Sequence, residues 1–310
     1  ATATLEEALE LKDVVKESMV LVLGVTNPKN VKYAVENDIS LTCPSKEWFE
    51  STLKELEKID GKLKFHIKIE TGMNRIGISH EKELMEIHNL FYSEKTEFEG
   101  IFSHYSNADG EDDEYDDYQT ANFNRLVELF KFKPKYIHID NSAGVIKYSD
   151  RDDICNLSRI GIALYGCYPS SNIEKLNKLS LEPVVSLVSK VTHVKKILKG
   201  TKVGYGISYE ALEDEYIATI PIGYADGLLR RAQGFKVKVG SEECEIVGRV
   251  CMDQLMVHIP AELADEVKKG DVVEFFGENI SVSEVANLCN TISYEILCGI
   301  SQRVPRIYVK

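Results

Sequence analysis

The order in which apolar runs follow one another constrains this chain more than any single residue does. Seven strand-like runs fill its first half: ATAT at Ala1, VLVLGV from Val20, ISLTC from Ile39, LKFHIKIE from Leu63, GIFSHYS from Gly100, KYIHIDN from Lys135 and NLSRIGIALYG from Asn156. Between the early runs lie stretches with 3.6-period apolar positions behind a capping residue, TLEEALELKDVVK from Thr4 and SKEWFESTLKELEKI from Ser45. Strands alternating with helices read as parallel βα units, which build either an open doubly wound sheet or a closed barrel. A barrel closes at eight strands, and no strand-plus-helix unit precedes Ala1. The expectation is therefore a (β/α)8 TIM-type barrel whose first strand is missing at the N-terminus.

From Val184 the grain changes to alternation punctuated by glycine, as in VSLVSKVTHVKKI, FKVKVG, ECEIVGRVCMDQLMVHI and DVVEFFG. This predicts a separate, mainly antiparallel β domain interrupted by one amphipathic helix, SVSEVANLCNTI. The boundary is placed near Ser180, giving a barrel over 1–180 and a β domain over 181–310. A chain of 310 residues that is 44% hydrophobic can bury one large core and one smaller one. A net charge of -13 argues against a general nucleic-acid or anionic-membrane surface, because both need local cationic excess. No apolar run is long enough to span a bilayer, and the opening residues do not form a signal peptide. The seven cysteines are scattered without CxxC pairs and read as reduced thiols of a cytoplasmic protein. The acidic run DGEDDEYDD from Asp109 reads as a solvated loop and helix start rather than a metal site.

In a parallel barrel, reactive residues gather where strands give way to the following loops. After HIKIE comes TGMNRIG with Arg75; after GIFS comes His104; after IHI comes DNSAG, with Asn141 and Ser142 opening a helix. In NLSRIGIALYG, Arg159 stands inside an apolar run ahead of Gly161. A serine and backbone N–H groups at a helix start, with a glycine that permits close approach, suit a phosphate. An arginine fork suits a carboxylate. His104 and His138 could equally be satisfied core histidines. Arg159 demands a partner, since a permanent charge facing a barrel interior is costly alone, but that partner could be a structural carboxylate. Lys68 and Glu70 alternate with Ile67 and Ile69, so one face of that strand is polar, inside or outside the barrel.

The segments IKIETGMNRIG, FSHYSNAD, HIDNSAG, RIGIALYG, VGYGISYEA, TIPIGYADG, GRVCMDQLMV and YEILCGISQRVPRIY resemble, in order and spacing, motifs of the alanine racemase family across essentially the whole chain. The resemblance implies a pyridoxal 5'-phosphate enzyme, a head-to-tail homodimer with shared active sites, interconverting L- and D-alanine for peptidoglycan. Arg159 then matches the arginine facing the cofactor's pyridine nitrogen, and Ser142, Gly161, Ile162 and Tyr294 the phosphate-holding positions, with Asn141 nearby. His104 matches a histidine beside the pyridine ring, and His138 one that bonds both Arg159 and a catalytic tyrosine. Arg75 and the backbone at Met252 match groups around the substrate carboxylate, Lys68 a lysine that is carbamylated in many members, and Tyr224 and Asp253 residues near the entry.

Racemisation needs a base on each face of the substrate. In the family these are a tyrosine, matched by Tyr205 and serving the L-antipode, and the cofactor lysine, serving the D-antipode. That lysine sits on the first barrel strand in a KANAYGHG-like motif with no counterpart in this sequence. The expectation is that the N-terminal segment bearing it is missing and that the chain alone is inactive. Two alternatives stay open: a related racemase acting on serine, since such a pocket discriminates poorly against an added hydroxyl, and a truncated homologue that binds without catalysis.

Overall fold

The computed structural model describes residues 1–91, 93–131, 134–151 and 154–309. It divides into two units, one of Ala1–Gly161 with Ser170–Leu179, the other of Ile162–Pro169 with Ser180–Lys310. The first holds a five-stranded parallel sheet in sequence order: β1 (Val20–Val22), β2 (Ile39–Cys43), β3 (Leu63–Lys68), β4 (Thr96–Phe102) and β5 (Tyr136–His138). Around these run α1 (Leu5–Val14), α2 (Val31–Glu36), α3 (Lys46–Leu56), α4 (Glu81–Leu90), α5 (Glu114–Val127), α6 (Ser142–Lys147) and α7 (Ser171–Lys175). This is a barrel-like α/β unit, and its strands are buried on both faces, as parallel strands covered by helices must be.

Local chemistry starts the helices where the sequence predicts. The Thr4 hydroxyl accepts from Glu7 N while the Glu7 carboxylate accepts from Thr4 N, closing a capping box before α1. Ser45 caps α3, whose buried Trp48, Phe49, Thr52 and Leu56 lie on one face. Phe49 meets Phe65 of β3 at 4.9 Å between ring centroids, and Phe65 meets Phe98 of β4 at 5.7 Å. Phe91 stacks on Phe98 at 4.5 Å. Burying a phenylalanine contributes roughly 1.5–3 kcal/mol, so this outer aromatic layer holds the helices to the sheet.

Two of the seven expected strands are not strands. At the N-terminus only Thr2 pairs, in a single parallel bridge to Val22, before Thr4 turns the chain into α1. The run from Asn156 is irregular and ends in a 3-10 turn over Ile162–Tyr165. There the Asn156 side-chain oxygen, not a backbone carbonyl, accepts from Ile137 N, so the ladder stops where a side chain has taken its slot. Arg159 thus lies in an extended segment tied to Asp140 O by its own N–H.

The second unit contains β6 (Leu187–Lys190), β7 (His193–Ile197), β8 (Lys202–Val203), β9 (Tyr209–Glu210), β10 (Glu215–Ile220), β11 (Lys236–Val239), β12 (Glu242–Val247), β13 (Leu255–Ile259) and β14 (Val272–Phe276). Seven of them form one antiparallel sheet in the order β6-β14-β11-β12-β13-β10-β7. Leu255, Val257 and Ile259 alternate into its core beside Ile220, Val237 and Phe275. The expected helix is α8 (Val282–Leu288), and a further one, α9 (Ser293–Gly299), follows it. All seven cysteines are free thiols. No helix among the described residues is long and apolar enough to cross a membrane.

Candidate active site

The register of β3 with its neighbours decides what faces the barrel interior. Phe65 pairs with Phe98 and Ile67 with Ile101, on the face turned to the helices. His66 and Lys68 occupy the other face, and both are buried. The polar face of this strand is therefore inside. Lys68 Nζ donates to Ile69 O at 2.7 Å and stands 5.7 Å from the Phe102 ring centroid. Burial lowers its pKa to about 8; Glu70 opposes the shift, and Arg159 and Arg75 add to it. Beyond β3 the chain folds back, with Ile78 N bonded to Lys68 O and Glu70 N to Ile78 O. Arg75 rides on this closed loop, exposed.

Arg159 is anchored on several sides. Its Nη1 donates to His138 Nδ1 at 2.5 Å, and its Nη2 to Ser103 O at 2.8 Å and Ile139 O at 2.9 Å, with His104 Nδ1 at 3.2 Å. Its Nε–H makes no hydrogen bond among the described residues. Burial lowers its pKa to about 10, which leaves it charged at neutral pH. His104 is pushed down to about 3, first by burial and then by Arg159, Arg75 and Lys68. A neutral His104 that accepts at Nδ1 must carry its proton on Nε2. The contact of Nε2 with Asn141 Nδ2 at 3.5 Å therefore sets donor against donor, leaving that proton available.

One expected contact is corrected by this geometry. His138 was expected to bond both Arg159 and a tyrosine, but Nδ1 is taken by Arg159 and Nε2 lies 3.0 Å from His66 Nδ1. A neutral imidazole has no third position. His66 and its partner Glu99 were not anticipated; the signal available was period-2 alternation of His66 and Lys68 with Phe65 and Ile67.

Asn141 caps α6, its side-chain oxygen accepting from Gly144 N at 3.0 Å. The Ser142 hydroxyl oxygen accepts from Gly161 N at 2.8 Å, which leaves its hydrogen free to donate outward. A Cβ on Gly161 would meet nothing nearer than that oxygen at 3.9 Å, so the space beside it is open. The first unit thus gathers Lys68, His104, Asn141, Ser142, Arg159 and Gly161, with Arg75 close enough to act on their charges: a cationic, donor-rich cluster in a chain of net charge -13.

The remaining predicted residues lie in the second unit. Tyr205 sits not on a strand but in a 3-10 turn, 67% exposed, between Gly204 at φ 74° and Gly206 at φ 71°, with Ile207 at φ 53°. A β-branched residue in the left-handed region is strained. The turn lies against Arg249, whose Nη1 would be 2.6 Å from a Cβ on Gly206. Tyr224 N bonds Cys251 O, and Ala225 N bonds Met252 O, so Tyr224 and Met252 share one patch. Asp253 pairs with Arg303 at 2.6 Å. Ile162 is buried in the unit's core, and Tyr294 is partly exposed on α9.

Comparison with known proteins matches the chain to two successive family models. The family model described as alanine racemase, N-terminal domain, matches residues 1–169, and that described as alanine racemase, C-terminal domain, matches 184–308. Alanine racemase from Lactobacillus gasseri is 42% identical over 311 residues, covering 99% of this chain and 82% of its own. The crystal structure of alanine racemase from Bacillus anthracis with bound L-Ala-P superposes with a TM-score of 0.91 at 40% identity, over 99% of this chain and 80% of that one. Histidine racemase from Leuconostoc mesenteroides superposes at 0.90 with 30% identity, over 99% and 83% respectively. On these matches the chain belongs to the alanine racemase family.

Proposed function

We propose that the protein interconverts L- and D-alanine with pyridoxal 5'-phosphate, as a cytoplasmic homodimer with shared sites that supplies D-alanine for peptidoglycan. The observation that carries this reading is the state of Arg159: both Nη atoms donate to protein acceptors, and Nε–H has no acceptor among the described residues. A donor-only cation held this way fits an unprotonated ring nitrogen, since guanidinium does not surrender its proton. The free Ser142 hydrogen and the start of α6 fit a phosphate, and the Gly161 amide would have to exchange its bond to Ser142 Oγ to join them; Ile162 and Tyr294 are further positions that the family resemblance implies. When bound, the cofactor supplies the electron withdrawal that makes an amino acid's α-hydrogen acidic.

The chain's residues do the rest. Arg75 and the Met252 backbone hold the substrate carboxylate, the latter from the partner subunit. Tyr205 moves the proton at the L face through its hydroxyl oxygen, and His104 offers its Nε2–H beside the ring. The base for the D face is the family's cofactor lysine, for which these residues contain no matching motif. Tyr224 and Asp253 stand at the entry. Lys68, depressed to about 8, holds enough free amine near neutrality to attack carbon dioxide. The carbamate forms with loss of one proton, and its negative charge fixes Arg75.

A second reading, racemisation of another amino acid, is favoured by the structural likeness to a histidine racemase. The test is chiral chromatography of the cofactor-loaded full-length protein given L-alanine, L-serine or L-histidine. Alanine should lead serine in kcat/KM by about 10–100-fold, the most a small apolar pocket achieves against an added hydroxyl. No D-alanine, or a higher value on another amino acid, overturns the proposal.

A further inference from the structure

A continuous line of buried side chains runs from Arg159 across the sheet. Arg159 Nη1 meets His138 Nδ1 at 2.5 Å, and His138 Nε2 meets His66 Nδ1 at 3.0 Å. His66 Nε2 meets Glu99 Oε2 at 3.3 Å, and that oxygen also accepts from Ser40 Oγ at 2.5 Å. His66 and His138 are 0% exposed and Glu99 is 6% exposed, so water does not substitute for any link.

The order of donors in this line is forced from both ends. Arginine can only donate, so His138 Nδ1 accepts and its hydrogen is on Nε2. That hydrogen points at His66 Nδ1, which must then accept, placing the hydrogen of His66 on Nε2. A carboxylate can only accept, so Glu99 takes it. Burial, Arg159 and His66 hold His138 far below the usual imidazole range, and burial also lowers His66, so both rings are neutral. Glu99 stays ionised because its bonds from His66 and Ser40 outweigh the upward push of burial.

The backbone is shaped for this line. Between Phe65 and His66 of β3, the partner register in β4 jumps from Phe98 to Gly100, so Glu99 is the extra residue of a β-bulge. A bulge re-aims one side chain at the cost of a disrupted ladder; here it turns Glu99 inward and also sets Phe102 on the interior face opposite Lys68. Gly100 then leaves room for the His66 ring, whose Nδ1 would lie 2.2 Å from a Cβ there. His66 stacks on Tyr136 at 5.8 Å and 13°, and His138 on Phe102 at 5.0 Å and 3°. The rings can neither turn nor slide.

We infer that Glu99 is a positioning residue for Arg159: it terminates a one-way hydrogen-bond relay through His66 and His138 that locks both tautomers and the plane of the guanidinium. If His66 carried its hydrogen on Nδ1, His138 would have to place its own on the nitrogen facing Arg159, donor against donor. The bearing of the relay on catalysis rests on Arg159 serving the cofactor ring nitrogen as proposed above; the relay itself does not.

The test is nuclear magnetic resonance of the full-length, cofactor-loaded protein with isotope-labelled histidine and arginine, reading each ring's tautomer from its proton–nitrogen couplings. Wild type should show His66 and His138 both neutral with hydrogen on Nε2. An Nδ1–H or doubly protonated ring at either position overturns the relay, and this arm needs no variant. In Glu99→Leu, His66 loses its acceptor. His138 keeps its hydrogen on Nε2, because Arg159 still donates to Nδ1, but the line has lost its anchored end, and the Arg159 Nη protons should exchange with solvent about tenfold faster, the size of one charged hydrogen bond. Unchanged Arg159 proton exchange in a folded Glu99→Leu protein overturns the inference. Should that variant not fold, the wild-type tautomers decide. These readouts hold whether or not the protein racemises alanine, so failure of the relay and failure of the proposed reaction are distinguishable.

Discussion

Lys68 shows how a single residue can set a pH dependence. Its folded pKa is about 8 and its ordinary value 10.5, because burial in the barrel interior penalises the ammonium more than Glu70 relieves it. Below pH 8 both folded and unfolded chains hold the proton, and the penalty is felt in full. Between the two values the unfolded chain keeps a proton that the folded chain has lost, so the folded state gains stability as pH rises. Replacing Lys68 with methionine removes this slope. In denaturant unfolding under carbon-dioxide-free buffer, wild type should gain on Lys68→Met by on the order of 2 kcal/mol between pH about 8 and 10.5. A stability difference that does not change across that window would show that Lys68 is not an uncompensated buried amine.

At the scale of elements, the β3–β4 pair does most to place the site, and it also marks where the sequence stops being readable. Alternation in LKFHIKIE shows that His66 and Lys68 share a face, and pairing with Phe102 shows which face it is. The bulge at Glu99 is invisible to period counting, because FEGIF reads equally well as a plain strand. The run from Asn156 looked like a strand because its apolar residues are spaced like one, yet a side-chain oxygen had replaced the ladder. Helix α9 escaped notice because its N-cap is Ile292, with no capping hydrogen bond to signal a start. The bulge predicts that Gly100→Ala is not a mild change: the new Cβ would strike the packed His66 ring. Overpacking of this kind costs about 1–3 kcal/mol, read as a lower denaturant midpoint at unchanged m-value. A loss under about 0.5 kcal/mol would mean the ring has room to move.

For the whole molecule, the strand-then-alternation order already separated an α/β unit from a β unit, and motifs at strand ends already named Arg159, His104 and Ser142. What sequence could not supply was commitment: which nitrogen of His138 is taken, and which donor of Arg159 is left over. Those depend on contacts between residues 20 or more apart, such as Arg159 with Ile139 and with Ser103. The central claim is that Tyr205, an exposed residue of a turn in which Ile207 takes the left-handed region, is the base for one face of the substrate while Arg159 holds the ring nitrogen. Tyr205→Phe removes only the hydroxyl of a side chain that is exposed in this chain. Racemisation by the full-length variant should fall at least about 10²-fold, the lower end of a general-base contribution. The direct measurement is α-hydrogen exchange in deuterated water, followed by nuclear magnetic resonance from each enantiomer separately. Exchange from D-alanine should survive better than exchange from L-alanine, because the other base is intact; equal residual exchange from both, or racemisation near the wild-type rate, would contradict the account.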